Sequence, residues 1–315
     1  MPNTLFDADT LRKLDRMALV ATRVRVGVMK GERRSTRRGT SIEFADYREY
    51  SRGDDLRRID WNVFARLDRP FIKLLEEEED LAVHILIDAS GSMNWPNDET
   101  VQDHDARDMQ DKFTFARRIA AGLGHIALGT GDRLTVSVLS GNLDGGEKNR
   151  ANIDLTWGPH RGRAFSIDLL RFLEPLTASG VSDLNLTLRN YAARSTRAGL
   201  CIVISDLLTP GAALDGLGAL VARGYELALI HVLSPDEVNP SLIGDLRLVD
   251  SETSQGRDVT VDAGLRTAYM RRLVAWRAEI GDFCSKRGIH YATVETGGNW
   301  ESLILYELRR LGVVR

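Results

Sequence analysis

The chain has 315 residues, of which 43% are hydrophobic, and its 42 Lys and Arg residues nearly balance its 45 Asp and Glu residues. This length is enough for one large α/β domain with a smaller appendage, and the apolar content excludes a disordered chain. The net charge of -3 gives no global attraction to nucleic acid or anionic lipid, so any such binding requires a local charge cluster.

The first ten residues contain neither the basic start nor the apolar run of a secretory signal. The longest uninterrupted apolar stretches span only a few residues, whereas crossing a bilayer takes about 20. We therefore expect a cytoplasmic protein without membrane insertion. Its two cysteines, Cys201 and Cys284, fit reduced packing thiols better than a disulfide framework.

Residues 1–80 are predicted to form an N-terminal accessory region, and residues 81–315 the main domain. A helix over residues 8–22 leads into the basic segment Arg23–Arg38, and the acidic run Glu76–Asp80 closes the region. The basic segment could bind a phosphate backbone, with the aromatic residues that follow it as stacking partners. A docking or intramolecular surface that faces the acidic run is the favoured interpretation.

Short apolar runs alternate with amphipathic stretches from Leu81 onward, which is the pattern of a doubly wound, mostly parallel sheet flanked by helices. Helical spacing of apolar residues predicts that helices containing Phe113–Ala127 and Leu265–Phe283 cover this sheet. The apolar runs predict five core strands. These strands are Leu81–Asp88, Arg133–Leu139, Leu200–Asp206, Glu226–Leu233 and His290–Val294.

Two other segments have the alternating pattern of hairpins. They are Ile153–Trp157 and Arg247–Val261, where Gly256 lies between two alternating runs. The irregular acidic stretch Asp98–Asp111 is interpreted as a solvated loop rather than as a second cation site, because one ion needs ligands in fixed convergence.

The most informative motif is Asp88-Ala-Ser90-Gly-Ser92-Met93, which directly follows an apolar strand. Side chains in this position emerge at the carboxyl edge of a parallel sheet, where ligands commonly bind. One carboxylate and two hydroxyls supply three oxygen ligands for a cation such as Mg²⁺ while contributing a single negative charge. Such a site stays electrophilic and leaves a position for an acidic side chain of a partner. The alternative is a polar loop that caps the following segment.

Further ligands should come from other loops at the same edge. Asp206 ends the best strand of the second half and is the predicted carboxylate from a second loop. Ser182, beside Asp183 and ahead of a helix over residues 184–195, is the predicted additional hydroxyl.

Together these residues resemble the metal-ion-dependent adhesion site of the von Willebrand factor A superfamily, which combines Asp-x-Ser-x-Ser, a Thr from a second loop and an Asp from a third. Asp88, Ser90 and Ser92 match the first motif. Asp206 matches the third, and Ser182 stands where the family usually has Thr. The resemblance implies a von Willebrand factor A-like fold that binds Mg²⁺, or another hard divalent cation such as Mn²⁺ or Ca²⁺. It implies protein binding rather than catalysis.

Further motifs cover nearly the whole chain. They are Gly39, Phe44–Tyr50, Gly53–Asp55, Arg58–Trp61, Ala65-Arg66, Leu248–Asp250, Tyr269 and the closing helix after Gly298. In this order they resemble the bacterial domain-of-unknown-function 58 family. That resemblance implies a MoxR-type AAA+ ATPase as partner and an adaptor role in protein remodelling or metal-centre assembly. Gly53–Trp61 has no chemical role that we can assign, and a structural network is expected there.

Two other classes of function remain open: a metal-dependent hydrolase that uses the same cation, and a nucleic-acid-binding module that uses Arg23–Arg38. The chain contains no Gly-x-Ser-x-Gly elbow, His-Glu-x-x-His motif or phosphate-binding Gly-x-x-x-x-Gly-Lys-Ser/Thr loop. His84 and His231 lie in predicted strands, where packed residues are commoner than general bases. We therefore expect a binding protein and not an enzyme.

Overall fold

The structure is a computed structural model that describes residues 8–21, 42–51, 54, 56, 59–77, 80–96, 111–140, 152–194, 197–209, 213–250, 252 and 255–315. Two compact units divide the chain, one made of residues 1–29 and 81–315 and the other of residues 30–80. The larger unit begins with the short helix α1 (Ala8–Leu14).

The smaller unit contains strand β1 (Ile42–Glu49), helix α2 (Trp61–Leu67) and strand β2 (Phe71–Glu77), with the two strands antiparallel. Asp60 caps α2 because its Oδ1 accepts hydrogen bonds from the backbone N–H groups of Asn62 and Val63, at 2.9 and 3.3 Å. Its Oδ2 accepts a hydrogen bond from the Tyr47 hydroxyl at 2.9 Å. The network role expected for this motif is therefore observed at Asp60.

The larger unit is built on one six-stranded sheet in which only the edge strand β5 is antiparallel. In spatial order the strands are β10 (His290–Glu295), β7 (Glu226–Leu233), β6 (Leu200–Ser205), β3 (Ala82–Asp88), β4 (Arg133–Ser140) and β5 (Asn152–Arg161). Strands β3, β6 and β7 are buried along their full length, as expected for parallel strands covered on both faces. The predicted α/β class, with a mostly parallel sheet flanked by helices, is confirmed.

Helices cover both faces of the sheet. One core includes α1, α3 (Lys112–Gly129), α4 (Ser166–Leu173) and a closing segment, and the other includes α5 (Leu184–Arg194), α6 (Ala213–Ala222) and α8 (Ala263–Arg287). A single turn, α7 (Pro235–Val238), follows β7. A separate hairpin of β8 (Gly244–Val249) and β9 (Gly256–Val261) precedes α8. The closing segment comprises Trp300–Ser302, the π-turn Leu303–Glu307 and Leu308–Arg310.

The strand order creates a topological switch point between β3 and β6. The chain leaves β3 to build β4 and β5 on one side, and β6, β7 and β10 lie on the other side. In open α/β sheets, the crevice at the carboxyl ends of two such strands is the usual ligand position. Asp88 ends β3 and Asp206 directly follows β6, so both predicted acidic ligands lie at this crevice.

Several local predictions need correction. The predicted N-terminal helix ends at Leu14, because the chain then pairs with the C-terminus: Val20 N–H donates to Val313 O at 2.9 Å. This pairing lies within the larger unit, so the units divide the chain differently from a single boundary at residue 80. Ile153–Trp157 is not a hairpin but part of edge strand β5.

The second predicted hairpin is confirmed, although Gly256 does not lie between its two strands but begins β9, opposite Val249. The apolar face predicted for α8 is buried only in part. Leu265 and Tyr269 are exposed, whereas Leu273 is buried, because the helix starts outside the sheet and reaches the core later. None of the described helices is long and apolar enough to cross a membrane.

Gly199 sets the close approach of the two central strands. A Cβ at this position would lie 2.0 Å from the backbone oxygen of Ala82, which begins β3. We expect Gly199→Ala to lower the free energy of unfolding by about 2 kcal/mol, because two backbones must separate. Urea denaturation measures this. Gly218→Ala in α6 is the control, since its Cβ would meet no atom closer than 3.8 Å; equal losses would contradict the explanation.

Candidate metal centre

The loop after β3 is held in a compact turn by its own polar groups. Ser90 N–H donates to Asp88 Oδ1 at 3.0 Å, and the Ser90 and Ser92 hydroxyls lie 3.0 Å apart. Residues Gly91–Met93 form a single 3₁₀ turn, which places both hydroxyls beside the carboxylate. Asp88 and Ser90 are buried. The three residues predicted as first-loop ligands therefore converge.

The end of β6 contributes the second carboxylate. Asp206 Oδ1 accepts hydrogen bonds from the Ser92 hydroxyl at 3.3 Å and from Leu208 N–H at 2.9 Å. The neighbouring Ser205 hydroxyl donates to Asp88 Oδ2 at 2.5 Å, which ties the two strand ends together. The next residue, Leu207, has a φ of 57°, a conformation that β-carbon sterics disfavour and that is typical of functional loops.

Ser182 lies in a loop bound to both of the others. Gly91 N–H donates to Gly180 O at 2.8 Å, and the Thr209 hydroxyl donates to Ser182 O at 2.9 Å. The Ser182 side chain is 1% exposed, and its hydroxyl has no hydrogen-bond partner among the described residues. A buried hydroxyl without a partner is unfavourable by about 1–3 kcal/mol unless a ligand, ion or water completes it.

Two further charged residues beside the site, Lys112 and Glu237, were not predicted. Lys112, the first residue of α3, donates to Asp206 Oδ2 at 2.7 Å and to Glu237 Oε1 at 2.6 Å. Burial opposes the charge of Lys112, but the carboxylates of Asp206 and Glu237 outweigh it and raise the pKa of the ammonium. Lys112 therefore stays charged and offsets the charge of Asp206.

Glu252, in the β8–β9 turn, also reaches this cluster without having been predicted. The charges of Asp88 and Asp206 act on its carboxylate and oppose its ionisation. Burial, and then the charge of Asp88, raise the pKa of Glu252 to about 7. Neither this residue nor Lys112 carries a sequence signal, since a lysine opening a helix and a glutamate in a polar turn are ordinary surface features.

The electrostatics of the cluster favour an additional cation. Burial, and then the charge of Asp206, raise the pKa of Asp88 to about 6. Burial, and then the charge of Asp88, likewise raise the pKa of Glu252. Within the described residues, this hydrogen-bonded cluster contains three carboxylates and one ammonium group, a formal charge of -3 + 1 = -2 when all are ionised. They belong to Asp88, Asp206, Glu237 and Lys112.

Carboxylate and hydroxyl oxygens are the donors that a hard divalent cation prefers. The Ser182 hydroxyl, which has no partner among the described residues, is one such donor. The described part of the chain contains no group of three or more His, Cys, Asp or Glu side chains arranged to hold a metal. A cation at the switch point would therefore depend on the serine hydroxyls as well as on carboxylates. The donor set in the crevice fits such an ion.

Other sequence predictions have mixed outcomes. The two cysteines are free and buried, as expected. His84 and His231 are packed residues, also as expected, and burial lowers the pKa of each to about 4. His231 additionally contacts Asp206 O at 3.1 Å, so it supports the site loop.

The basic segment Arg23–Arg38 lies outside the described residues, and so does most of the acidic stretch Asp98–Asp111. Asp111 itself caps α3, because its Oδ2 accepts from Thr114 N–H at 2.7 Å.

Fold and site together define an α/β protein with a doubly wound sheet and a polar, acid- and hydroxyl-rich crevice at the switch point. The chain belongs to the family described as "Protein of unknown function DUF58", whose family model matches residues 46–279. The resemblance to the domain-of-unknown-function 58 family is thereby confirmed.

Relatives in two mycobacteria extend this similarity. Uncharacterized proteins of Mycobacterium bovis and Mycobacterium tuberculosis are each 27% identical over 278 residues, which cover 87% of this chain and 81% of the relative. Among solved structures, the conserved hypothetical protein BatB from Bacteroides thetaiotaomicron is similar over 73% of this chain and 98% of that chain. Its sequence identity is 14% and its TM-score 0.40.

Proposed function

We propose that this chain is a divalent-cation-dependent protein-binding module with a von Willebrand factor A-like adhesion site. Asp88, Ser90 and Ser92 would hold Mg²⁺, or Mn²⁺ or Ca²⁺, and Ser182 and Asp206 would complete the shell directly or through water. The observation that carries the proposal is the convergence of three loops at the switch point, with the buried Ser182 hydroxyl lacking any described partner.

The surroundings suit the capture of a carboxylate. Lys112 offsets the charge of Asp206, so the ligand shell as a whole carries less negative charge than its two acids suggest. A cation held this way stays electrophilic and attracts an acidic side chain of a protein partner. The cation would supply the positive charge, and Asp88, Ser90 and Ser92 would hold it at the crevice.

The partner we propose is a MoxR-type AAA+ ATPase, with this chain acting in the cytoplasm as an adaptor in protein remodelling or metal-centre assembly. This partner is the one that the resemblance of the sequence motifs to the domain-of-unknown-function 58 family implies. Purified ATPase should bind the wild-type protein in Mg²⁺ and be released by a chelator. Binding that survives both the chelator and Asp88→Ala would contradict the adhesion mechanism.

The cation site can be tested without the partner. Titration with Mn²⁺, followed by electron paramagnetic resonance of the free ion, should show binding to the wild type and at least about 100-fold weaker binding to Asp88→Ala. Asp282→Ala is the control, because Asp282 lies on the exposed side of α8. Equal Mn²⁺ affinity in the three proteins would reject the site.

A further inference from the structure

One oxygen of each carboxylate at the candidate metal centre is held by a donor of the chain itself. Asp206 Oδ2 accepts a hydrogen bond from the Lys112 ammonium at 2.7 Å. Asp88 Oδ2 accepts one from the Ser205 hydroxyl at 2.5 Å. None of these four residues is more than 2% exposed, so bulk water does not compete for either bond. One oxygen of each acid is therefore occupied before any cation binds.

The other oxygen of each carboxylate faces the loop after β3. Asp206 Oδ1 accepts from the Ser92 hydroxyl at 3.3 Å, and Asp88 Oδ1 accepts from Ser90 N–H at 3.0 Å. The donors of the two Oδ2 atoms come from α3 and β6, not from this loop. A cation held beside the serine hydroxyls would therefore meet a single oxygen of each acid.

The position of Lys112 is fixed from its other side. Its ammonium also donates to Glu237 Oε1 at 2.6 Å, and Glu237 Oε2 accepts from Ser234 N–H at 2.8 Å. The Ser234 hydroxyl in turn accepts from Glu237 N–H at 3.2 Å, which completes a capping box at the start of α7. Glu237 cannot turn away without breaking this cap, so the ammonium stays against Asp206.

Mg²⁺ and Ca²⁺ differ in what they require of a carboxylate. Ca²⁺ takes about six to eight oxygens and often binds a carboxylate through both of its oxygens, whereas Mg²⁺ is octahedral and keeps several waters. We infer that Lys112 is a positioning residue that restricts Asp206 to one oxygen and so makes the site select Mg²⁺ over Ca²⁺. Ser205 acts in the same way on Asp88. This inference rests on the proposed cation site and narrows the ion that the site takes.

The ratio of the two affinities separates this role from a general effect of charge or stability. The positive charge of Lys112 repels both ions, and both carry the same charge. A loss of folding stability weakens the binding of both ions in the same proportion. Only the release of a second carboxylate oxygen favours the ion that can use it.

The test uses full-length protein with bound Mn²⁺, which Mg²⁺ and Ca²⁺ displace, and electron paramagnetic resonance measures the Mn²⁺ released. In the wild type, half-displacement should need a Ca²⁺ concentration at least about tenfold higher than that of Mg²⁺. Lys112→Met and Ser205→Ala should each lower this ratio of concentrations at least about fivefold. Because Ser205→Ala removes no charge, it isolates the effect of the freed oxygen.

Two control substitutions remove similar groups away from the site. Lys13→Met removes an exposed ammonium, and Ser137→Ala removes a buried hydroxyl of β4 that lies 3.1 Å from the Thr156 hydroxyl. Both should keep the wild-type ratio. If Lys112→Met does not fold, the double variant Lys112→Met/Glu237→Gln takes its place, because it removes the ammonium without leaving Glu237 charged and unpaired.

The outcomes distinguish failure of the selectivity from failure of the site. If the wild type binds Mn²⁺ through Asp88 but Ca²⁺ displaces it as readily as Mg²⁺ does, the inference is wrong and the cation site stands. A wild-type ratio in Lys112→Met or its double variant, or a Ser137→Ala shift as large as that of Ser205→Ala, also overturns the inference. Absence of Mn²⁺ binding in the wild type rejects the site and the inference together.

Discussion

Lys112→Met is expected to lower the free energy of unfolding by about 3–5 kcal/mol, the loss that follows removal of one partner from a buried ion pair. The Lys112 side chain is 0% exposed, and that of Asp206 is 1% exposed. Methionine fills similar volume but leaves the Asp206 carboxylate without its countercharge and Glu237 without its closest donor. Chemical denaturation at pH 7 measures the difference.

The ion pair of the solvent-exposed Lys13 with Glu301 offers a matched control. Lys13 lies 3.4 Å from Glu301, and its side chain is 48% exposed. Because solvent screens this pair, Lys13→Met should reduce stability by less than about 1 kcal/mol. Similar losses for the two substitutions would show that burial of the Lys112 ammonium contributes nothing.

Coupling between the partners can be resolved with Glu237→Gln. Combined with Lys112→Met, it should be less destabilising than the sum of the single substitutions, because the glutamine no longer needs a countercharge. Strict additivity would show that Glu237 and Lys112 act independently despite their 2.6 Å contact.

Sequence patterns were sufficient for the parts of the site that follow a strand. Apolar runs ending in Asp88 and Asp206 identified β3 and β6, and the rule that parallel strands share a carboxyl edge placed the two acids together. The pairing of β3 with β6 brings Ile87 opposite Ile204, which makes these strand ends neighbours. No local pattern encodes that adjacency, so the agreement depends on a general rule of α/β sheets.

The residues that were missed owe their roles to long-range packing. Lys112 is 94 residues from Asp206 and 125 from Glu237 in the chain, and its position at a helix start is one where charged residues are usually solvated. Glu252 lies in a turn flanked by exposed strands, a context that predicts solvation. A buried charge is recognisable only once the partner elements are placed around it.

The same dependence on long-range packing explains why the apolar face predicted for α8 is longer than the face that is buried. Its period continues through Leu265 and Tyr269, but both are exposed because the helix begins beside the separate hairpin and contacts the core from Leu273 onward. Tyr269 instead donates its hydroxyl to Glu237 O at 2.6 Å. Periodicity identifies a helix and its apolar side, whereas the length over which that side is covered depends on where the sheet lies.

Removal of divalent cations should make stability depend on pH through Asp88. Its pKa is raised from 3.8 in the unfolded chain to about 6 in the folded protein. Below pH 3.8 the carboxyl is protonated in both states and has no effect. Between these values the unfolded state has lost its proton and the folded state has kept it, so stability falls as pH rises.

Above pH 6 the Asp88 carboxyl is ionised in both states, and the loss of folding stability that it causes is complete. It amounts to about 3 kcal/mol, since a tenfold change in the proton dissociation constant corresponds to about 1.4 kcal/mol. In a chelator at pH 7, Asp88→Asn should therefore be more stable than the wild type by an amount of this order. Its advantage should shrink to zero towards pH 4. Urea denaturation from pH 4 to pH 8 measures both profiles, and Asp282→Asn should reproduce that of the wild type.

Mg²⁺ should cancel most of the advantage of Asp88→Asn over the wild type. A cation that binds only the folded state adds about 2.7 kcal/mol at a concentration 100 times its Kd, and this gain requires the ionised Asp88. The wild type should therefore recover its stability at pH 7, while Asp88→Asn should not respond. A pH profile unaltered by Asp88→Asn would mean that burial of this carboxyl carries no penalty. An equal Mg²⁺ response in both proteins would place the cation elsewhere. The pH profile therefore tests the cost of burying the ionised Asp88 carboxylate, and the Mg²⁺ response tests whether a cation offsets that cost.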